Sequence, residues 1–391
     1  MDTTTSTRAD KLLSLEEQIV RLQAVLEASR QVHSIVSVHD VLARTAHVLV
    51  RELEIQGAQF RSPETGELLA SYGSPDPSSA VSSRFQLTVR DNHNLAELLV
   101  TPGGGQELSI YEEDFIEGVV LQAAVALENA TYHERDLQWA RVQQDLDAAR
   151  NIQRSLLPKS MPRIPGFSIE GRSSACYEVG GDYMDTVVLP DSTQLFVVAD
   201  VAGKGLASAI IATGFRSAFR SLASQPLSLV DLVDRLGQQH WDEGTEARRR
   251  YVTAIFLRLS PDRHEIEVVN AGHNPALIVR PNGSVDRIDA SGTPLGMLPG
   301  MSYTAEITSF PPGSRVLLYT DGLTEVFSGD DEFGCDRLSD TFRSASPHDA
   351  AAALATLWET LGSYSDNAPQ TDDMTAVAIC HLAPPQENAL A

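Results

Sequence analysis

Four aspartates stand where short apolar runs begin or end. Asp182 follows two glycines in VGGDYMD, and Asp200 ends the run FVVA in FVVADVAGKG. Asp321 comes after VLLYT, and Asp372 comes shortly before MTAVAI. Carboxylates at the ends of buried strands are costly unless positive charge meets them, and their own motifs hold no cluster of Lys or Arg. Oxygen ligands without His or Cys favour Mg²⁺ or Mn²⁺. The pattern therefore predicts a site for divalent cations.

Each motif alone also has a structural explanation. Asp-Gly pairs such as Asp321-Gly322 mostly form β-turns, and Asp372-Asp373 can cap a turn. Three of the four aspartates, however, have a glycine within three residues, which permits positive φ and a close approach of backbone oxygens. The repetition of one setting at four places favours a shared site over four separate turns.

Apolar runs predict the elements that position these aspartates. Helices are expected at 207–224, 227–241 and 348–361, the last with Ser346-Pro347 as its cap and first turn. Strands joined by hairpins, with helices grouped between them, indicate an α+β domain built on antiparallel sheets. The predicted strands are 167–170, 183–189, 195–199, 251–259, 265–270, 276–279, 316–319 and 376–380.

The first third of the chain predicts a smaller domain between helices. Residues 10–30 carry Leu or Ile at alternating spacings of three and four, which indicates a coiled-coil seam or an amphipathic helix. A second amphipathic helix is expected at 39–53. It precedes strands at 56–61, 67–72, 85–89 and 95–100.

A long helix follows these strands. Ser109 and Glu112 form a capping-box pattern, and no proline interrupts the chain from there to about residue 157. Such a helix would be about 65 Å long, too long for one small domain to cover. Its apolar stripe favours a two-chain coiled coil, and the stripe consists of Leu137, Val142, Leu146, Ala149 and Leu156.

Composition narrows the class of protein. A chain of 391 residues suggests two or three domains. The net charge of −23 argues against nucleic acid or an anionic membrane as a partner. Three dispersed cysteines make neither a disulfide framework nor a zinc site. Without a signal segment or a membrane-spanning run, a cytoplasmic protein is expected.

Eight motifs between residues 149 and 380 resemble one family in order. The stretch resembles the SpoIIE/RsbU-type branch of the metal-dependent (PPM, protein phosphatase 2C-like) serine/threonine phosphatases. This resemblance implies an αββα sandwich with two cations, Mn²⁺ or Mg²⁺, at one end of its β core. The motifs are ARNIQRSLLP, EVGGDYMD, VADVAGKGLASA, YVTAIFLRL, NAGHNPALIV, GTPLG, LLYTDGLTEV and TDDMTAVAI.

The resemblance also implies roles for single residues. Asp200 corresponds to a carboxylate that bridges both metals, and the carbonyl of Val201 corresponds to a backbone ligand. Asp321 and Asp372 correspond to ligands of one metal, and Asp182 to an acidic residue that binds a metal or its waters. The positions expected to lie around these ligands, without an assigned metal, are Asp185, Gly203, Lys204 and Asp373. Lys204 is also a candidate phosphate contact.

The implied reaction is hydrolysis of phosphoserine or phosphothreonine by water activated between two metals, without a phosphoenzyme. The implied substrate is a STAS-domain anti-sigma-factor antagonist. The alternative is a catalytically inactive dimeric scaffold that keeps a degenerate phosphatase fold.

The expected domains are a coiled-coil-like helix at 1–31, a short GAF-like sensor or dimerisation domain at 32–134, a helical linker at 135–158 and the phosphatase domain at 159–391. GAF resemblance rests on the helix–strands–helix order. A homodimer through the linker is expected, and the helix at 112–157 is expected to transmit dimer geometry to the helix at 207–224.

Overall fold

The computed structural model describes residues 37–88, 94–260, 264–366 and 368–383. The chain divides into two compact units, Met1–Gln143 and Gln144–Ala391. This boundary lies inside the linker predicted for 135–158. The helix predicted at 10–30, and with it the segment 1–31, lies outside the described residues.

The first unit is a four-stranded antiparallel sheet with helices. The strand order is β2-β1-β4-β3. The apolar face of the first helix joins the core of this unit through Val41, Leu42 and Leu49. The helix and the four strands predicted here are confirmed, with small shifts at their ends. Their bounds are α1 Val38–Leu53, β1 Gly57–Arg61, β2 Leu68–Gly73, β3 Ser83–Thr88 and β4 Asn94–Thr101.

The predicted long helix is α2, Ile110–Leu156. Its capping box forms as expected: the Ser109 backbone N–H donates to Glu112 Oε2 at 2.7 Å, and the Glu112 N–H donates to Ser109 Oγ at 3.3 Å. Buried side chains end at Ala130. Beyond that residue Trp139 is 66% exposed and Val142 is 50% exposed.

The second unit contains two five-stranded antiparallel sheets. Their orders are β11-β10-β13-β16-β5 and β12-β9-β8-β7-β6. Its strands are β5 Phe167–Ser174, β6 Tyr183–Val188, β7 Gln194–Val201, β8 Val252–Ser260, β9 Glu265–Ala271, β10 Ala276–Val279, β11 Val285–Ile288, β12 Glu306–Ser309, β13 Arg315–Tyr319, β14 Phe327–Ser328, β15 Asp331–Glu332 and β16 Met374–His381. Its helices are α3 Leu206–Ala223, α4 Leu229–Asp242, α5 Thr245–Arg248, α6 Gly334–Ser344 and α7 Ala350–Tyr364.

The sheets pack face to face and carry helices on their outer faces. Alternate residues of β7 explain why, because Phe196 and Val198 enter the core between the sheets while Leu195 and Val197 face the helices. Helices α3 and α4 cover the sheet of β7. Helices α6 and α7 cover the other sheet. The domain is thus the predicted αββα sandwich.

Some local predictions are wrong or incomplete. The last long helix is capped by Asp349, whose carboxylate accepts from the N–H groups of Ala351 and Ala352, and Ser346-Pro347 lies outside it. The sequence patterns missed helices α5 and α6 and strands β11, β12, β14 and β15. Helix α5 and the four strands are two to four residues long, too short to show an apolar period. Helix α6 does bury Leu338 and Phe342 at helical spacing, a signal that the sequence analysis did not use. No helix among the described residues is long and apolar enough to cross a membrane.

Candidate metal centre

Strand pairing brings the four aspartates to one edge of the sandwich. Tyr183 at the start of β6 pairs with Ala199 near the end of β7, so Asp182 and Asp200 lie at the same end of their sheet. In the other sheet Tyr319 at the end of β13 pairs with Ala376 of β16. Asp321 and Asp372, which flank these two strands, therefore lie together as well.

Hydrogen bonds join the two sheets at this edge. The hydroxyl of Thr320 donates to Asp182 Oδ2 at 2.8 Å, and both groups are buried. Asp373 accepts from the backbone N–H of Gly181 at 2.8 Å and from that of Cys176 at 2.7 Å. Asp373 thus orders the loop that carries Asp182.

The two glycines before Asp182 allow a close approach that no side chain would permit. A Cβ on Gly181 would lie 2.8 Å from the carbonyl oxygen of Val201 and 3.3 Å from Asp200 Oδ1. A Cβ on Gly180 would lie 2.2 Å from Asp373 Oδ2. The backbone oxygen of Val201 and the Asp200 carboxylate therefore share the space directly beside the Asp182 loop.

The carboxylates of this cluster raise one another's pKa values. Burial, followed by the charges of Asp321 and Asp372, raises the pKa of Asp200 to about 7. Burial and then the charge of Asp200 raise the pKa of Asp182 well above its ordinary value. The pKa of Asp321 is raised by burial and by Asp372. Such a cluster is unfavourable without added positive charge.

Glu325 belongs to the same electrostatic group, and the sequence reasoning did not single it out. Its pKa is raised by burial and then by Asp321 and Asp372. It stands four residues after Asp321 in DGLTE, across the short 3₁₀ turn Asp321–Leu323. Its position four residues after Asp321 is the sequence signal that could have identified Glu325.

Among the residues that the structure describes, the cation in contact with this group is Lys204. Lys204 Nζ lies 2.8 Å from Asp372 Oδ2 and donates to the carbonyl of Thr371 at 2.8 Å. Gly203, with φ of 100°, makes the turn that carries Lys204 away from the end of β7. In the part of the chain that the structure describes, no three His, Cys, Asp or Glu side chains are arranged to hold one metal ion.

Asp185 is separate from the cluster. Its carboxylate is fully buried and accepts two hydrogen bonds of 2.7 Å from the Arg220 guanidinium, and the Tyr183 hydroxyl also donates to it. This pair ties helix α3 to strand β6. Asp185 therefore supports the fold next to Asp182 rather than facing the other aspartates.

The chemistry of the donor set fits a hard divalent cation. It contains carboxylates and one backbone carbonyl at a partly buried edge, and their mutual repulsion is the penalty that such a cation removes. Lys204 already pairs with Asp372 Oδ2, so a cation bound to Asp372 would compete with it for that charge. The residues present therefore fit the predicted metals in chemistry.

Comparison with known proteins identifies the second domain. Residues 190–382 match the family described as Stage II sporulation protein E (SpoIIE). This domain belongs to the SpoIIE family. The chain is 30% identical over 183 residues to the phosphoserine phosphatase RsbP of Bacillus subtilis, covering 46% of this chain and 45% of RsbP. It is 26% identical over 266 residues to the protein IcfG of a Synechocystis species, covering 60% and 41%.

Solved structures share the fold of this SpoIIE domain. The SiaA-PP2C domain of Pseudomonas aeruginosa superposes with a TM-score of 0.54 at 21% identity, over 62% of this chain and 97% of that one. A Mycobacterium tuberculosis protein with RsbU and RsbW domains gives a TM-score of 0.51 at 26% identity, over 59% and 64%. The chain spans about half the length, or less, of RsbP and IcfG.

Proposed function

We propose that this chain is a metal-dependent protein phosphatase that hydrolyses phosphoserine or phosphothreonine on a regulatory protein. The observation that carries the proposal is the meeting of Asp182, Asp200, Asp321 and Asp372 at one edge of the two sheets. Family membership of residues 190–382 and the likeness to a phosphoserine phosphatase support it.

The proposed ligands of two Mn²⁺ or Mg²⁺ ions are the four carboxylates and the carbonyl oxygen of Val201. Ions held there would supply an activated water and neutralise charge on the phosphoryl oxygens. The chain's own part is to position the ligands. Thr320 fixes the orientation of Asp182, and Asp373 fixes the backbone of its loop.

The proposed substrate is a phosphorylated STAS-domain anti-sigma-factor antagonist, in a cytoplasmic signalling system that regulates a sigma factor. The resemblance to RsbP, and to RsbU of the same organism at 24% identity over 188 residues, supports this class of partner. The alternative remains a catalytically inactive scaffold. No three of the described side chains are already arranged to hold one metal ion, so the experiment must also be able to detect an inactive scaffold.

A homodimer through α2 is part of the proposal. Exposed apolar side chains follow a seven-residue repeat along this helix, and a second copy would bury them. They are Leu121, Val125, Tyr132, Trp139 and Val142. The region 32–134 would then act as a GAF-like sensor or dimerisation domain.

The test is phosphate release from a phosphoserine protein at millimolar Mn²⁺, with EDTA as the reference. Asp200→Asn should reduce the rate by about a hundredfold or more, since metal catalysis depends on its ligands. Asp340→Asn, at an exposed position of α6, is the matched control and should retain the rate. Tight binding of the phosphoprotein without any phosphate release would instead establish the scaffold.

A further inference from the structure

A cleft of about 520 Å³ opens beside the carboxylate cluster in the second unit. One wall is the loop after Asp321, from Gly322 to Gly329, and the other is the loop 368–371, which ends at Asp372. Both walls therefore lead directly into proposed metal ligands. Because both walls end at proposed ligands, a peptide in the cleft would need only a few residues, at about 3.8 Å each, to reach the proposed phosphate position.

The two walls meet tightly at the floor. A Cβ on Gly322 would lie 1.9 Å from the carbonyl oxygen of Asp373, so only glycine fits there. Gln370 links the far wall to the sheet, because its Nε2 donates to the carbonyls of Ser174 and Asp372. The shape of the cleft and the placement of Asp372 are thus held by the same contacts.

The lining is mostly apolar and contains one cation, Arg172, besides the polar side chains of Ser174, Ser365, Gln370 and Thr371. Trp358 and Leu361 come from α7, Met374 begins β16, and Phe327 is 44% exposed at the rim. The guanidinium of Arg172 stacks over the Trp358 ring at 4.6 Å. Among the described residues no acidic side chain forms an ion pair with Arg172, in a chain whose net charge is −23.

These features suit an extended peptide that carries an aliphatic side chain next to an acidic one. An aliphatic side chain would fill the space between Trp358 and Met374, where apolar lining favours it. A carboxylate on the neighbouring segment would pair with Arg172, whose planar guanidinium remains able to bind it in a bidentate manner. The guanidinium is already positioned by the indole ring, which lowers the entropy cost of that pairing.

We propose that this cleft binds the substrate segment next to the phosphorylated residue, and that it selects an aliphatic residue accompanied by an acidic one. The proposal rests on the proposed phosphatase function, since it places the phosphoryl group at the carboxylate cluster. It adds a specificity-determining surface formed by Trp358, Phe327 and Arg172.

The test is a panel of phosphoserine decapeptides with Mn²⁺. Leu replaces Ala at each position from three before to three after the phosphoserine, with or without an adjacent Asp. One Leu position should raise kcat/KM by about tenfold, the usual range for filling an apolar pocket. Trp358→Ala and Phe327→Ala should abolish that preference, and Arg172→Glu should abolish the preference for Asp.

Two references separate specificity from general damage. p-Nitrophenyl phosphate has no flanking residues, so its hydrolysis should stay unchanged in all three variants. Ile307→Ala and Arg249→Glu, exposed positions on β12 and beside α5, should keep both preferences. Equal rates for Leu and Ala peptides, or a Leu preference that survives both aromatic substitutions, would overturn the proposal.

Failure of the phosphatase function would be seen separately. If the wild-type chain hydrolyses neither the peptides nor p-nitrophenyl phosphate, fluorescence anisotropy of labelled peptides still tests the cleft. If the wild type binds the Leu peptide more tightly than the Ala peptide and Trp358→Ala loses that difference, the result supports docking in the cleft. Equal binding of the two peptides by the wild type would overturn it. If Trp358→Ala instead dissociates an oligomer and leaves peptide preference intact, the cleft belongs to a second copy and the proposal is wrong.

Discussion

The side-chain amide of Gln153 forms two hydrogen bonds with the backbone of Gly180. Its Nε2 donates to the Gly180 carbonyl at 2.7 Å, and the Gly180 N–H donates to Oε1 at 3.2 Å. One turn earlier, Arg150 donates to the carbonyls of Tyr177 and Glu178. The end of helix α2 therefore holds the segment that leads into Asp182. The same end of α2 also contacts the helix at 207–224 that the sequence suggested, because Arg216 Nε donates to the carbonyl of Leu156 at 2.9 Å.

The first prediction concerns this amide pair. Gln153→Leu keeps the size of the side chain and removes both hydrogen bonds, each of which contributes about 0.5–1.5 kcal/mol. A less ordered Asp182 loop should raise the Mn²⁺ concentration for half-maximal activity by roughly tenfold. The measurement is a metal titration of phosphatase activity. Gln144→Leu, at an exposed position of the same helix, is the control, and an equal shift in both variants would contradict the coupling.

The second prediction concerns pH and metal-free stability. The pKa of Asp200 is about 7 in the folded chain, above the ordinary value of 3.8. Between these values the folded state keeps a proton that the unfolded state has lost, so the free energy of unfolding should fall as pH rises from about 4 to 7. The loss from this group is on the order of 3 kcal/mol. Thermal unfolding in EDTA between pH 5 and 8 measures it.

A matched variant isolates that contribution from the general repulsion of an acidic chain. Asp200→Asn removes the ionisation at similar size, so its melting temperature in EDTA should exceed that of the wild type at pH 8 and approach it at pH 5. Added Mn²⁺ should stabilise the wild type more than the variant. An unchanged pH slope in Asp200→Asn would show that Asp200 does not cause the destabilisation.

The sequence predicted most of the sandwich because its strands are buried on both faces and read as long apolar runs. β7 and β16 are examples, and both adjoin proposed ligands. The meeting of Asp182 with Thr320, 138 residues away, depends on how two sheets pack, which no local pattern records. The pairing of Lys204 with Asp372 and the cleft beside them depend on the same packing.

The third prediction concerns the buried pair of Asp185 and Arg220. Arg220→Met would leave the fully buried Asp185 carboxylate without its bidentate partner, and we expect a loss of about 2–4 kcal/mol in the free energy of unfolding. Asp185→Asn combined with Arg220→Met should recover part of that loss. Chemical denaturation of the four proteins of this cycle measures the coupling. Strict additivity would mean that the pair does not stabilise the domain.

The last prediction concerns competition between Lys204 and the metals. Lys204 Nζ occupies an oxygen of Asp372 that the proposed site needs, and both side chains are partly exposed, so their ion pair contributes about 0.2–1 kcal/mol. Lys204→Met should therefore lower the Mn²⁺ dissociation constant about two- to fivefold in calorimetry. If Lys204 instead serves as the phosphate contact, the variant should raise KM for a phosphopeptide without tighter metal binding. Lys159→Met, outside the cluster, is the control for the loss of one positive charge. If it changes the metal affinity as much as Lys204→Met does, Lys204 does not compete directly with the metals at Asp372.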